Sequence, residues 1–367
     1  MKMQICLSLF FGVVFMTGYQ TSGGENVENL PETQIATVVF DRSVHEGDVH
    51  KIRGPEPLCL FTVEIYPKVL HFGDPLYVRL NYKNSTDTDA YAYAGSAVVS
   101  GILECQTFAF HLRAGDVIIP WNIRAGFGAG GWGFHPWQKV KPGEKGPTQY
   151  AAFIPPPMDV TGNLFFINAD YDALPRWSKE AWDKIRISGA SGVQLVIIIE
   201  NGSATLMMAS PLFDIIPRGQ EEIQILGLDR DIFNEGKKLL QKQDIEHIIP
   251  KITPGTLQNL LKYEILLLDL MDCIVSKEVD GEFQVQFLET HALETLDRIE
   301  DFLKTLHEIE REVLKREFYG GNLITGTGCA GWLDESEKVQ KRIVEVFGER
   351  HVPVLFWHEG VGWVNGQ

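Results

Sequence analysis

Two stretches set the period of the N-terminal half: Leu60-Phe61-Thr62-Val63-Glu64-Ile65-Tyr66 and Leu76-Tyr77-Val78-Arg79-Leu80-Asn81-Tyr82. Both alternate apolar with polar side chains, the pattern of strands with two unlike faces. Pro67 closes the first, Gly73-Asp74-Pro75 turns the chain between them, and Asn84-Ser85-Thr86-Asp87 turns it again. Outward from there the same period runs from about 58 to 217. Further short runs are Val98 to Phe110, Val117 to Ile123, Tyr150 to Ile154, Leu164 to Asn168, Val193 to Glu200 and Ala204 to Met208. Each is rich in β-branched or aromatic residues and bounded by turn formers. Asn201-Gly202 predicts a tight hairpin between the last two. Leu174 to Ile185 reads as a single helical insert. So many short strands predict an antiparallel β-sandwich over 58–217.

Two segments carry a resemblance. Phe72 to Ser85 pairs a Gly-Asp turn with alternating apolar residues and a closing Asn. Val140-Lys141-Pro142-Gly143-Glu144 precedes Tyr150-Ala151-Ala152-Phe153. Together they resemble bacterial immunoglobulin-like sandwich modules. The resemblance implies an immunoglobulin-like β-sandwich that binds, spaces or adheres, by fold-level analogy alone.

From 218 the period becomes 3.6. Gln220 to Gln243 predicts helix with a break near Gly227, and a further helix starts at Pro254 with Thr253 as its cap. The clearest helix spans about 284–317, with Val285, Leu288, Ala292, Leu296, Ile299, Leu303, Leu306, Ile309 and Val313 on one face. Glu289, Glu294, Asp297, Glu300, Asp301, Glu308 and Glu312 crowd the other, where Glu300 and Lys304 form an i,i+4 pair. Gly320-Gly321 ends it. The tail adds a Gly-rich loop, a helix over Asp334–Phe347 and a strand over Val352–Trp357. The expected class is therefore α+β: an N-terminal antiparallel β-sandwich (58–217), a helical domain (218–319) and a C-terminal loop, helix and strand (320–367).

The N-terminus has the order of a secretory signal peptide over 1–18. Lys2 is followed by an apolar run from Ile5 to Met16 and then by small and polar residues. The run is too short to span a bilayer comfortably, and no later stretch is long and apolar enough to span. Residues 19–57 read as a flexible leader and first strand. The 367 residues carry 33 basic and 49 acidic side chains, a net charge of −16. That excess argues against nucleic acid and against an anionic membrane surface. Removing the signal takes away one Lys and no acid. It leaves Cys59, Cys105, Cys273 and Cys329, with Cys59 and Cys105 as candidate disulfide partners within the β half.

Candidate chemistry is sparse. Gly126, Gly128 and Gly131 match a dinucleotide loop literally, but Trp132-Gly133-Phe134-His135-Pro136 cannot open the helix that such a loop needs. Gly326, Gly328 and Gly331 are better placed, yet only three apolar residues precede them, and Glu359 comes too late for the ribose. No cofactor is expected. His45, Glu46, Asp48 and His50 miss the zinc-protease spacing. Asn168, Asp170 and Asp172 alternate like the start of a calcium loop, but Ala173 and Lys179 stand where that loop needs Gly and Glu. Gly189-Ala190-Ser191-Gly192-Val193 misses the nucleophile elbow, and Cys329 with His351 or His358 offers a dyad without a supporting motif.

The aromatic stretch between residues 121 and 137 stands apart. Trp121, Phe127, Trp132 and Trp137 sit among glycines with Arg124 as the one ionised neighbour. Such rings stack on sugar faces or anchor protein interfaces. These features point to an exported binding protein of the cell envelope, with another envelope protein or a glycan as partner. The competing expectation is a secreted, metal-dependent hydrolase of polysaccharide or peptide, with the Asn168, Asp170 and Asp172 group as its metal site.

Overall fold

The computed structural model describes residues 34–39, 59–93, 108–114, 117–121, 137–153, 183, 189, 191–201, 204–228, 241–279, 282–320, 336–349, 355–358 and 362–365. Leu60–Tyr66 (β2) and Leu76–Lys83 (β4) pair antiparallel, and β4 pairs on its far side with Gln149–Phe153 (β9). The register puts Phe61, Val63 and Ile65 opposite Tyr82, Leu80 and Val78, all buried on one face. Thr62, Glu64 and Tyr66 lie opposite Asn81, Arg79 and Tyr77 on the other. Gln34–Val39 (β1), Phe108–Ala114 (β6), Val117–Trp121 (β7), Val193–Asn201 (β10) and Ala204–Ala209 (β11) form a five-stranded sheet in the order β1-β11-β10-β6-β7. Asn201 pairs with Ala204, so the predicted hairpin forms.

Ala90–Tyr93 (β5), Trp137–Val140 (β8), Leu355–His358 (β15) and Gly362–Asn365 (β16) make a four-stranded sheet in the order β15-β16-β8-β5. The chain's last strands thus join its β-rich half. Val69–His71 (β3) pairs parallel with Asp214–Ile216 (β12), and Ile274–Val279 (β13) pairs with Glu282–Phe287 (β14).

The helices are Gln220–Leu226 (α1), Lys242–Ile248 (α2), Thr256–Met271 (α3), Glu289–Lys304 (α4), Glu308–Gly320 (α5) and Glu337–Phe347 (α6). Gly227 ends α1 in a left-handed conformation, at the predicted break. The helix expected over 284–317 is three elements: Val285 belongs to β14, and the chain breaks at Thr305-Leu306-His307 between α4 and α5. The apolar spacing runs through the break: α4 buries Leu296, Ile299 and Leu303, and α5 buries Ile309, Val313 and Leu314. Thr253 does not cap α3, whose N-cap is Gly255.

The immunoglobulin-like sandwich is corrected. The strands are distributed over five separate sheets of five, two, two, four and three strands, with no closed sandwich among the described residues, and the fold is mixed α/β. The reason lies on the β2-β4-β9 sheet. Its polar-alternating face is not solvent-facing but covered by α5, which packs on β2, β4 and β9. Arg79 bonds Glu64 (2.5 Å) and Glu308 (2.9 Å), Tyr66 stacks on His307 with ring centroids 3.9 Å apart, and Arg316 lies 4.7 Å over the Tyr150 ring. A period of two identifies two unlike faces without saying what covers each.

The two segments behind the resemblance do meet. The buried Asn84 side chain donates to the Thr88 and Val140 carbonyls and accepts from Thr86, while Gly143 N–H donates to its carbonyl. Asn84 is fixed by this local need of two turns.

The acidic face of α4 is partly neutralised from α6. Arg342 reaches Asp297 (2.8 Å) and Glu300 (2.6 Å), and Lys338 reaches Glu289 (3.0 Å). The Glu300–Lys304 pair forms at 3.1 Å. No helix among the described residues is long and apolar enough to cross a membrane.

Candidate functional site

Among the described residues, a constellation of buried charge joins the helices to the β2-β4-β9 sheet. It begins at the Gly73-Asp74-Pro75 turn. Gly73 has φ +90°, and a Cβ there would stand 2.9 Å from Leu228, so the turn demands glycine twice over. Asp74 follows with its side chain 2% exposed, and Arg218 faces it with its side chain fully buried, Nη2 to Oδ1 at 2.5 Å. Arg218 Nε donates to the Phe72 carbonyl and Nη1 to Glu222. The His71 and Leu257 N–H groups also donate to Asp74. Burial raises the Asp74 carboxyl above its ordinary value, opposed by Arg218 and by these N–H groups.

Glu222 extends the network. It accepts from the backbone N–H (2.6 Å) and hydroxyl (2.5 Å) of Thr253. Burial alone would raise its carboxyl, but bonds from Thr253 and Arg218 hold it below the ordinary carboxylate value. The Thr256 hydroxyl donates to the Pro75 carbonyl, tying the first turn of α3 to the same β-turn.

Glu310 of α5 closes the cluster. It is fully buried. Oε1 accepts from Asn259 of α3 at 3.2 Å, and Oε2 has no hydrogen-bond partner among the described residues. Burial pushes its carboxyl up to about 7, with the Asp74 charge adding in the same direction. A carboxyl titrating near neutrality is suited to proton transfer. Here it is sealed from any substrate, and the Asp74–Arg218–Glu222 groups are spent on one another, so the arrangement is a joint.

The joint tolerates no extra volume. A Cβ on Gly255 would lie 2.6 Å from Asp74 Oδ2, and that carboxylate is pinned by Arg218 and His71. Gly255→Ala is expected to cost about 1–3 kcal/mol, read as a lower urea midpoint at unchanged slope. A wild-type midpoint would mean that the carboxylate is free to move.

The residues singled out from sequence fall elsewhere. Trp121 ends β7, the edge of the five-stranded sheet, and Trp137 begins β8, inside the four-stranded one. Phe127 and Trp132 lie outside the described residues, as do Asn168, Asp170, Asp172, His45, Glu46, Asp48 and His50. Of the helical insert at 174–185 only Asp183 is described, and both G-x-G-x-x-G motifs lie outside. Cys59 and Cys273 are free, buried thiols, pushed up to about 11 by burial; Cys105 and Cys329 lie outside the described residues. Among the described residues, no group of three or more His, Cys, Asp or Glu side chains could hold a metal ion.

Sequence reading missed the joint. Asp74 reads as a turn residue, and Arg218 stands between Pro217 and Gly219 without a motif. Glu310 did carry a signal: it sits four residues after Leu306 and three and four before Val313 and Leu314, a carboxyl on an apolar stripe.

Among known proteins, no family model and no curated sequence matches the chain. One solved structure with a partial likeness is a β-glucosidase from Listeria innocua in complex with glucose. The likeness has 11% identity over 43% of this chain and 16% of that one, with a TM-score of 0.18. The matched part therefore spans less than a fifth of that enzyme's length, and a likeness at this level carries no argument.

Proposed function

We propose that the chain is an exported binding protein of the cell envelope, with the aromatic stretch from Trp121 to Trp137 as its contact for a glycan or an envelope protein. The observation that carries this reading is where the stretch is anchored. Trp121 ends the edge strand of one sheet and Trp137 begins an interior strand of another. The stretch therefore links two separate sheets. Aromatic rings in such a connection supply contact area with few rotatable bonds. The signal-like N-terminus and the net charge of −16 accord with export and with a partner that is not nucleic acid.

The test is a thermal-melt panel with neutral oligosaccharides, Ca²⁺, Zn²⁺ and EDTA, since any ligand of the native state raises Tm by mass action. Pull-down from envelope extract completes the panel. Trp132→Ala is expected to abolish the ligand-induced shift and weaken binding by about 2 kcal/mol or more, roughly 30-fold, as hot-spot tryptophans do. A shift that survives Trp132→Ala removes the aromatic stretch as the contact. A shift produced by a metal and reversed by EDTA replaces the binding reading with the metal-dependent hydrolase.

A further inference from the structure

Glu310 is a buried carboxyl at a joint between layers, with one oxygen unpartnered and a second buried carboxyl, Asp74, acting on it. We propose that Glu310 is a proton-operated latch: protonated, it lets α5 lie closed over β2 and β4; ionised, it sets a second negative charge beside Asp74 and releases α5 from that face.

The surroundings leave Glu310 as the group that changes charge. On β2, Glu64 is held by Arg79 and Asn81, and Tyr66 lies against His307 with its phenol pushed upward by burial and by Glu310. On β4, Arg79 is neutralised by Glu64 and Glu308. On β9, Tyr150 takes the Arg316 cation on its ring. On α3, Asn259 is neutral, Lys262 bonds Gln258, Glu264 has a partner of its own, and Tyr263 donates to the Leu314 carbonyl. On α6, Lys338 pairs with Glu289 of α4, and Arg342 is engaged with Asp297 and Glu300 of α4 and with Glu345. His71, before β4, and Arg218, before α1, both attend to Asp74. On α5 itself, Glu312 lies near Arg311 and Lys315. Among the described residues no cation is directed at Glu310, so none of them offers its ionised form a counter-charge.

The sign follows from the raised value. A released Glu310 has the ordinary carboxyl value of 4.5, and the closed one titrates at about 7. The closed form therefore binds the extra proton between these values. Closure is fully favoured below about 4.5, weakens as pH rises towards 7, and levels off above it.

The test is hydrogen exchange on the full chain, corrected for the intrinsic pH dependence of amide exchange. Protection in α5 is expected to fall roughly 40-fold between pH 5 and pH 7, while α4 and α6 keep theirs. Glu310→Gln, neutral at every pH, is expected to give flat protection in α5. A fall shared equally by α4, α5 and α6 would show loss of global stability instead of release, and would overturn the latch, as would an unchanged fall in Glu310→Gln. Should that variant not fold, the Glu310 carboxyl is titrated directly in the native chain by carbon-13 resonance. A midpoint in the ordinary glutamate range overturns the proposal.

Discussion

Arg218→Met is expected to destabilise the protein by about 3–5 kcal/mol, the largest single effect at the joint. The arginine side chain is fully buried and Asp74 is 2% exposed, so removing the cation leaves the carboxylate with the N–H groups of His71 and Leu257 and the His71 ring 3.5 Å away. Glu222 loses one donor in the same step, and the Phe72 carbonyl loses its bond from Nε. The pair itself need contribute little, because desolvating two ions costs nearly what their attraction returns. The double variant Asp74→Leu/Arg218→Met separates these terms: its loss should be well below the sum of the single losses. Urea unfolding of the four proteins reads the cycle. A single-variant loss below about 1 kcal/mol, within the range of exposed pairs, would mean that water reaches Asp74.

Phe318→Ala should cost a comparable 3–5 kcal/mol through a different mechanism. Phe318 is fully buried at the C-terminal end of α5 and lies parallel to Phe347, the last residue of α6, with ring centroids 3.9 Å apart. Truncation removes the ring's dispersion contacts and opens a cavity that the two helices cannot close without leaving α4 and the sheet. Phe318→Leu keeps most of the volume and should recover more than half of the loss. Equal losses for Ala and Leu would assign the stabilisation to the ring stack rather than to filled volume.

The second effect concerns α5, the helix by which the α-layer holds the β2-β4-β9 sheet. One end is fixed by packing at Phe318, and the other by Glu308 and His307 against Arg79 and Tyr66. Glu310 sits close to the second end, where a single charge can act on the helix while the first end stays packed.

Much of this was legible in the sequence, residue by residue. The alternation in Leu60–Tyr66 and Leu76–Lys83 gave strands with the expected buried faces, Gly227 ended a helix, and Asn201 closed a hairpin, because each of these rests on neighbours within a few residues. The break at Thr305 was not legible, since the apolar stripe continues through it. The covering of Arg79 by α5 was not legible either, since a polar face in a strand reads the same under water and under a helix carrying opposite charges. The candidate joint was hidden more completely. Asp74, Arg218, Asn259 and Glu310 are brought together from four parts of the chain, and each is an ordinary residue where it stands.

The periods, the turns, the acidic charge and the aromatic stretch are set by short-range sterics and composition and can be read along the chain. Which strands share a sheet, the placing of α5 on the polar face of β2-β4-β9 and the burial of Glu310 near Asp74 come from long-range packing. Strand pairing and burial depend on contacts between residues far apart in the chain, and the free energy of a buried charge is fixed by what packs around it rather than by its neighbours in sequence.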